Sequence, residues 1–441
     1  PPPLPPRLVI ACPTKKGLPV LTRDRFLELE AFCRAFAPTF CAGGDYPAAF
    51  SHWCAAPDVC PPGMPREVWA ALRDALAALP LAVGERFAGT DDEALPLGFP
   101  EGYRPHALDG GRFSFIDLFA GIGGFHLAMS AVGGRCVFAS EWDRFAQETY
   151  WHNFGLMPFG DIRKIPAADI PDHDVLCAGF PCQPFSLAGV SKKNALGRKH
   201  GFEDKTQGTL FFDVCRIVKA KRPKAFFLEN VKNLLSHNGG KTFQVIRECL
   251  DELGYVWAYQ VVDGANWVPQ HRERVFIVGF DKARFPRLSP ADIRIPLRPA
   301  NGRRVRLSDI VQSHLRDAGR YTLGDGTWAT LQRHKAHHET AGNGFGYGLH
   351  TFPLRDDEVT RTISARYHKD GAEILIAQPG RNPRRLTVEE AMQLQGYDPG
   401  RFRFPVSRTQ AYHQIGNSVV VPAVTETARR ITEILGMSND A

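Results

Sequence analysis

The 441-residue sequence lacks any uninterrupted apolar run near the roughly 18 residues a membrane-spanning helix requires, and its mean hydropathy is −0.23. A membrane-spanning protein is not expected. The first twenty residues hold neither an apolar core nor a small-residue cleavage site, so they offer no secretory signal. Ten cysteines include no CxxC pair and no dense framework spacing, which argues against a disulfide scaffold and for reduced thiols in the cytoplasm. Cys12, Cys33, Cys41, Cys54 and Cys60 are spaced too irregularly for a zinc site, and no metal is expected. No internal repeat is present. What remains, 44% apolar and 23% charged residues, is the balance of an ordinary globular protein with length for two or three domains.

The net charge of +7 is unevenly spread. Residues 1–112 carry 11 Lys/Arg against 13 Asp/Glu, whereas residues 281–385 carry 19 against 11 and six of the 15 histidines. A basic segment of this kind commonly faces a polyanion, although a solvated surface would carry the same charge.

Half of the 34 prolines fall in residues 1–112, which marks an N-terminal extension. Phe26, Leu29, Phe32, Cys33 and Phe36, and then Trp69, Leu72, Leu76 and Leu79, recur at helical spacing, so the extension reads as short helices joined by Pro-rich loops. From residue 113 strand and helix patterns alternate. Strands are expected at 113–119, 136–140, 174–178, 225–229 and 255–262, and helices at 125–132, 143–151, 209–220 and 241–253. This predicts an α/β fold, a Rossmann-like, doubly wound, mostly parallel sheet over 113–280. Residues 281–385, rich in Arg, Gly and short strand-like runs, read as a smaller inserted domain. Residues 386–441 return to the first domain, opening with the capping box of Thr387 and Glu390 and closing with a helix near 424–435.

Doubly wound sheets bind ligands at the carboxyl ends of their strands. There the segment FSFIDLFAGIGGFHLA places Gly121, Gly123 and Gly124 in a strand–helix turn, and Glu141 ends the next strand, suited to ribose hydroxyls. A dinucleotide motif would need its third glycine where His126 stands, so a nucleoside without a pyrophosphate fits better. A turn that binds nothing would also satisfy this segment alone.

After the third strand comes GFPCQPFS, with Cys182 held in a stiff turn between Pro181 and Pro184. KAFFLENV delivers Glu229 and Asn230 to the same edge; a carboxylate closing an apolar strand is costly without a partner, so Glu229 is a structural acceptor or a general acid/base. QHRERVFIVGF sets Gln270, Arg272 and Arg274 at alternating positions, suited to an oxygen-bearing ligand.

In this order FIDLFAGIGGF, SEWD, GDI, GFPCQPFSLAG, ENVKN, QHRERVFIVGF and QAYHQIGNSVVVPA resemble the blocks of DNA cytosine-5 methyltransferases, from about residue 113 to 434. GVSKKNALGRKHGFEDKTQGTLFFD, GNGFGYG and RTISARYHKDGAEILI resemble the bacterial Dcm-like subgroup, which methylates the inner cytosine of CC-initiated palindromes such as CCWGG, CCNGG or CCGG. The resemblance implies S-adenosyl-L-methionine as cofactor and double-stranded DNA as partner. It also implies a monomer and a cognate restriction endonuclease in the same system. By similarity the Cys182 thiolate adds to cytosine C6, Glu229 protonates N3, Arg274 holds O2 and Arg272 supports the same pocket. The cofactor would meet Phe119, Gly121, Gly123, Gly124, Glu141, Trp142, Asp161, Ile162, Pro181, Leu210, Asn417, Ser418 and Val419.

The target base must leave the duplex to reach Cys182. Residues 186–208 then read as a loop closing over DNA, with Ser186, Lys192 and Lys193 as contacts, joined by Gln270 beside the base pocket. Many family members carry Arg-Gly where this chain has Gln207-Gly208, so a phosphate contact from that arginine is not carried over. The inserted domain takes the role of target recognition, with Arg333, Arg361, Arg366 and Lys369 as candidates for phosphate or guanine. Three other readings compete: the more compact tRNA methyltransferase branch sharing the PCQ and ENV motifs, a catalytically silent DNA-binding relative, and, least favoured, an NAD-dependent oxidoreductase. Cys182, Glu229 and Arg274 together disfavour the second.

Overall fold

Five of the six residues of Phe113–Leu118 (β1) are buried, with no polar alternation. Such a run belongs to a strand covered on both faces. The computed structural model describes residues 111–181, 210–342 and 346–436, together with most of 46–70. In it β1 sits inside a six-stranded sheet with Gly134–Ser140 (β2), Val175–Gly179 (β3), Ala225–Val231 (β4), Tyr255–Asp263 (β5) and Glu273–Asp281 (β6), in the order β2-β1-β3-β4-β6-β5. The pairings among β2, β1, β3 and β4 are parallel, and β6 runs antiparallel between β4 and β5. This is the mostly parallel, doubly wound α/β sheet that the alternating pattern implies.

Helices cover both faces. On one side Gly124–Ala131 (α2) packs with the C-terminal helix Val421–Gly436 through Phe125, Ala128, Met129, Val424, Ala428 and Ile431. On the other, Leu210–Lys221 (α4) and Lys241–Glu252 (α5) bury Phe211, Val214, Ile217, Ile246 and Leu250 against the sheet. Between β2 and β3, Arg144–Phe154 (α3) starts where Asp143 Oδ1 accepts from Ala146 N at 2.8 Å and stops at Gly155, whose φ of 59° suits glycine.

The N-terminal segment does not stand apart from this core. Helix Tyr46–Ala55 (α1) lies along β2, and Ala48, Ala49, Ala56 and Met64 bury themselves with Val137, Phe138 and Phe159. The helical spacings at residues 26–36 and beyond Ala70 lie outside the described residues.

After β6 the chain forms the smaller unit, with a three-stranded sheet of Leu349–His350 (β7), Leu375–Gln378 (β8) and Arg381–Arg385 (β9). It also holds a helix, Asp325–Thr340, that the sequence pattern did not foretell, since none of its residues is buried and no apolar stripe marks its period. The unit is fastened to the larger body at Arg384, whose buried guanidinium binds Glu390 in fork fashion at 2.7 and 2.9 Å. Glu390 also closes the expected capping box, taking Thr387 N at 2.8 Å while Thr387 Oγ1 accepts from Glu390 N at 3.1 Å. Among the described residues no helix is long and apolar enough to cross a membrane.

Candidate active site

The carboxyl ends of β1 to β4 open into one cavity of about 460 Å³. Its wall is built from pieces far apart in sequence: the turn after β1, the ends of β2, β3 and β4, the entrance to β6, and the segment 413–419.

The turn after β1 dictates its residues through backbone shape. Phe119 has φ 54° and Gly121 φ 55°, both left-handed. Phe119 tolerates this at a cost, and the position takes an aromatic ring to the cavity wall. Gly124 is glycine for room, because a Cβ there would stand 2.5 Å from Val419 Cγ2. Gly123, expected to meet the cofactor, does not line the cavity. It turns toward α3, where a Cβ would fall 2.1 Å from the Phe154 ring, so its role is close packing.

Glu141 directly follows β2 and ties the turn to it. Its Oε2 accepts from Gly121 N at 2.8 Å and its Oε1 from Asp143 N at 2.9 Å. Burial pushes its carboxyl pKa up, opposed by those same N–H groups. Beside it Asp161 pairs with Arg163 at 2.6 Å, and the Arg163 hydrogen bonds hold that carboxyl below the usual range. Ile162 is buried behind it, while Trp142 stands 61% exposed at the rim with the Arg163 guanidinium 5.8 Å from its ring.

The opposite wall carries the charged pair. Glu229 lies beside Gly179 in the β3–β4 register and meets Arg274 Nε at 3.0 Å. Burial raises the Glu229 pKa, and the charges of Arg274 and Arg272 counter that rise without cancelling it. The sequence placed Asn230 at this edge without a role; its Nδ2 donates to Phe180 O at 2.8 Å and so pins the chain just before Pro181. Pro181 and Leu210 line the cavity on either side of residues 182–209, which lie outside the described residues, as do Cys182, Ser186, Lys192 and Lys193.

Arg272 does more than border the pocket. Its buried guanidinium donates to Ile363 O at 3.1 Å, Gly416 O at 2.9 Å and Ser418 O at 2.5 Å, stapling the C-terminal segment to the sheet. Asn417, Ser418 and Val419 reach the cavity through this staple, and Ser418 Oγ shares a hydrogen bond of 2.6 Å with Tyr397 OH. Gln270 departs from expectation. It precedes β6, is fully buried, donates to Leu394 O and accepts from Ile363 N, both at 2.8 Å. Its amide is used within the protein, which replaces the expected DNA contact with a structural one.

Two polar residues escaped sequence reasoning. Asp117, inside β1, is 1% exposed, and burial together with the neighbouring Glu141 drives its pKa well up. An acid in the otherwise apolar FSFIDL was the available signal. Gln414 lines the cavity with Oε1 taken by Thr149 Oγ1 at 2.9 Å and a buried Nε2 that has no partner. Nothing in its position along the chain marked it. In the smaller unit Arg333, Arg361, Arg366 and Lys369 are all exposed, with Arg361 also donating to Gly346 O.

Comparison with known proteins matches residues 113–433 to the family model described as C-5 cytosine-specific DNA methylase. The type II methyltransferase M.SsoII of Shigella sonnei is 48% identical over 329 residues, covering 74% of this chain and 82% of the relative. The DNA-cytosine methyltransferase of Escherichia coli (strain K12) is 46% identical over 384 residues, covering 75% and 79%. Among solved structures, the S. pombe Dnmt2 methyltransferase shares the fold with a TM-score of 0.56 at 18% identity, over 74% of this chain and all of that one. The family match spans well over half of the sequence and runs through every wall of the cavity: the chain belongs to the C-5 cytosine-specific DNA methylases.

Proposed function

We propose that the chain transfers a methyl group from S-adenosyl-L-methionine to C5 of a cytosine flipped out of a short palindromic duplex site, through a transient bond between Cys182 Sγ and cytosine C6. One observation carries this reading: the Glu229–Arg274 pair stands in the same cavity as Phe119, Glu141 and Asp161. Groups suited to a base and groups suited to a nucleoside share one space.

The donor set fits such a nucleoside. Glu141 keeps lone pairs for ribose hydroxyls after taking two backbone N–H groups, Phe119 offers an aromatic face, and the unpaired Gln414 Nε2 is a buried donor in need of an acceptor. Asp161, Ile162 and Trp142 would border the adenine, with Gly121, Gly124, Pro181, Leu210, Asn417, Ser418 and Val419 closing around the rest. When bound, S-adenosylmethionine supplies an electrophilic methyl group.

The chain's own residues do the remaining work on cytosine. Cys182 attacks C6 as thiolate, forming the S–C6 bond while the C5–C6 electrons shift into the ring. Glu229, whose pKa burial raises, gives its proton to N3, and Arg274 hydrogen-bonds to O2 and draws charge from C5–C6. C5 is thereby nucleophilic. Loss of the C5 proton to a base, expulsion of the Cys182 thiolate and return of the N3 proton to Glu229 restore the aromatic ring. Arg333, Arg361, Arg366 and Lys369, with Ser186, Lys192 and Lys193, are the proposed DNA contacts, and the inner cytosine of CCWGG, CCNGG or CCGG is the proposed target. We further propose a cytoplasmic monomer acting beside a cognate restriction endonuclease.

A duplex carrying 5-fluorocytosine at the target tests the chemistry, because fluorine at C5 cannot leave as a proton. With S-adenosylmethionine present, the wild-type chain is expected to form a denaturant-stable complex and Cys182→Ala none. A complex that releases its DNA under denaturation would overturn the proposal.

A further inference from the structure

We infer that α1 is part of the cofactor-holding edge of the catalytic body, with His52 as the positioning residue that fixes the strand leading into Glu141. The inference rests on the reading above that this cavity takes the methyl donor.

Among the described residues β2 is an edge strand, and an edge leaves a row of backbone groups without partners. The outward N–H of Ala139 would be one of them. His52 Nε2 accepts it at 2.9 Å. The same ring donates from Nδ1 to Ala48 O at 2.8 Å, which fixes the proton on Nδ1 and leaves the lone pair on Nε2. The ring sits 4.7 Å from that of Phe159 and 5.9 Å from that of Phe138, wholly inside the apolar cluster. One residue earlier, Ser51 Oγ accepts from Met157 N at 3.0 Å and donates to Ala48 O at 3.0 Å.

The backbone continues this clamp into the site. Phe159 N donates to Ala139 O and Glu141 N donates to Phe159 O, each at 2.8 Å. Thus α1 grips two segments at once, β2 and residues 157–159. The first leads into Glu141 and the second into Gly160, Asp161 and Ile162, and all four line the cavity. A histidine is required because the position needs one donor and one acceptor on a rigid apolar ring. Glutamine keeps both functions with a looser frame, and alanine has neither.

The test uses the full chain, with S-adenosylmethionine binding measured by calorimetry and amide exchange followed at Ala139 and Glu141. His52→Ala is expected to weaken binding about tenfold and to raise KM for the donor while leaving kcat at saturation near wild type. It should also speed exchange at both amides. His52→Gln should restore most of the affinity. Leu250→Ala, in α5 and away from this edge, serves as a variant of lowered stability and should bind the donor normally. Should His52→Ala not fold, Ser51→Ala, which frees Met157 N alone, carries the same expectation at smaller size. Wild-type affinity together with a protected Ala139 amide in His52→Ala would overturn the inference, as would an equal loss of affinity in Leu250→Ala. A wild-type chain that fails to bind the donor would instead overturn the reading of the cavity, and exchange at Ala139 would still test the clamp.

Discussion

The cavity and the smaller unit after β6 use their polar groups in opposite ways. Around the cavity several polar groups are committed within the protein: Glu141 to two backbone N–H groups, Asn230 to Phe180 O, and Arg272 to three carbonyls. In the smaller unit Arg333, Arg366 and Lys369 are exposed, and helix Asp325–Thr340 buries none of its residues. Chemistry on a small ring needs groups fixed before the substrate arrives. Contact with a long polyanion instead leaves side chains free until it arrives, because phosphate binding draws on charge more than on shape. The seam between the two is tied by the Arg384–Glu390 fork and by the Ile363 N–H donated to Gln270.

Substitutions on each side should therefore separate stability from function. The largest effect is expected at Glu229. Replacing it with Gln should lower kcat about 10²- to 10⁴-fold, the usual worth of a general acid. Its raised pKa means that the wild-type rate should fall as rising pH deprotonates it, and Glu229→Gln should lose that limb. A variant whose pH–rate profile matches wild type would remove Glu229 from the chemistry.

Next comes Arg272→Ala, which leaves three buried carbonyls without a donor and should cost roughly 3 kcal/mol in chemical unfolding. Acid should cause a loss of similar size at each of two histidines. His52 and His173 are buried and neutral, each pushed down to about 4 by burial. A histidine with a depressed folded pKa contributes stability that is whole above the unfolded value near 6.5 and is lost as pH falls toward 4. The loss approaches about 3 kcal/mol per residue, and His52→Gln should remove its share. Gly124→Ala, crowding Val419, should cost about 1–3 kcal/mol and raise KM for the methyl donor.

The smallest change in stability is expected at the exposed arginines. Arg366→Ala should shift unfolding by less than about 0.5 kcal/mol. If Arg366 contacts phosphate, the salt dependence of DNA binding should flatten by about one unit; if it reads guanine, discrimination should drop by about 1–3 kcal/mol. A large stability loss there would erase the contrast between the two regions.

The same contrast explains what the sequence could reveal. The glycine turn, the ends of the apolar strands and the Thr387 capping box were legible because backbone shape and burial force particular residues at those points. Helix Asp325–Thr340 was not, since an exposed helix need not repeat an apolar residue. Gln270 misled because alternation before β6 resembles a strand face, while its partners at Leu394 and Ile363 lie far along the chain. The clamp of His52 on Ala139, 87 residues apart, left no local trace either.

The central claim is that the cavity joins methyl donor and cytosine on this chain. Bisulfite sequencing of unmethylated plasmid DNA treated with the purified protein and S-adenosylmethionine tests it most directly. Protection of the inner cytosine at CC-initiated palindromes, absent with Cys182→Ser, is the predicted result. Complete conversion of every cytosine by a chain that binds both S-adenosylmethionine and DNA would contradict it.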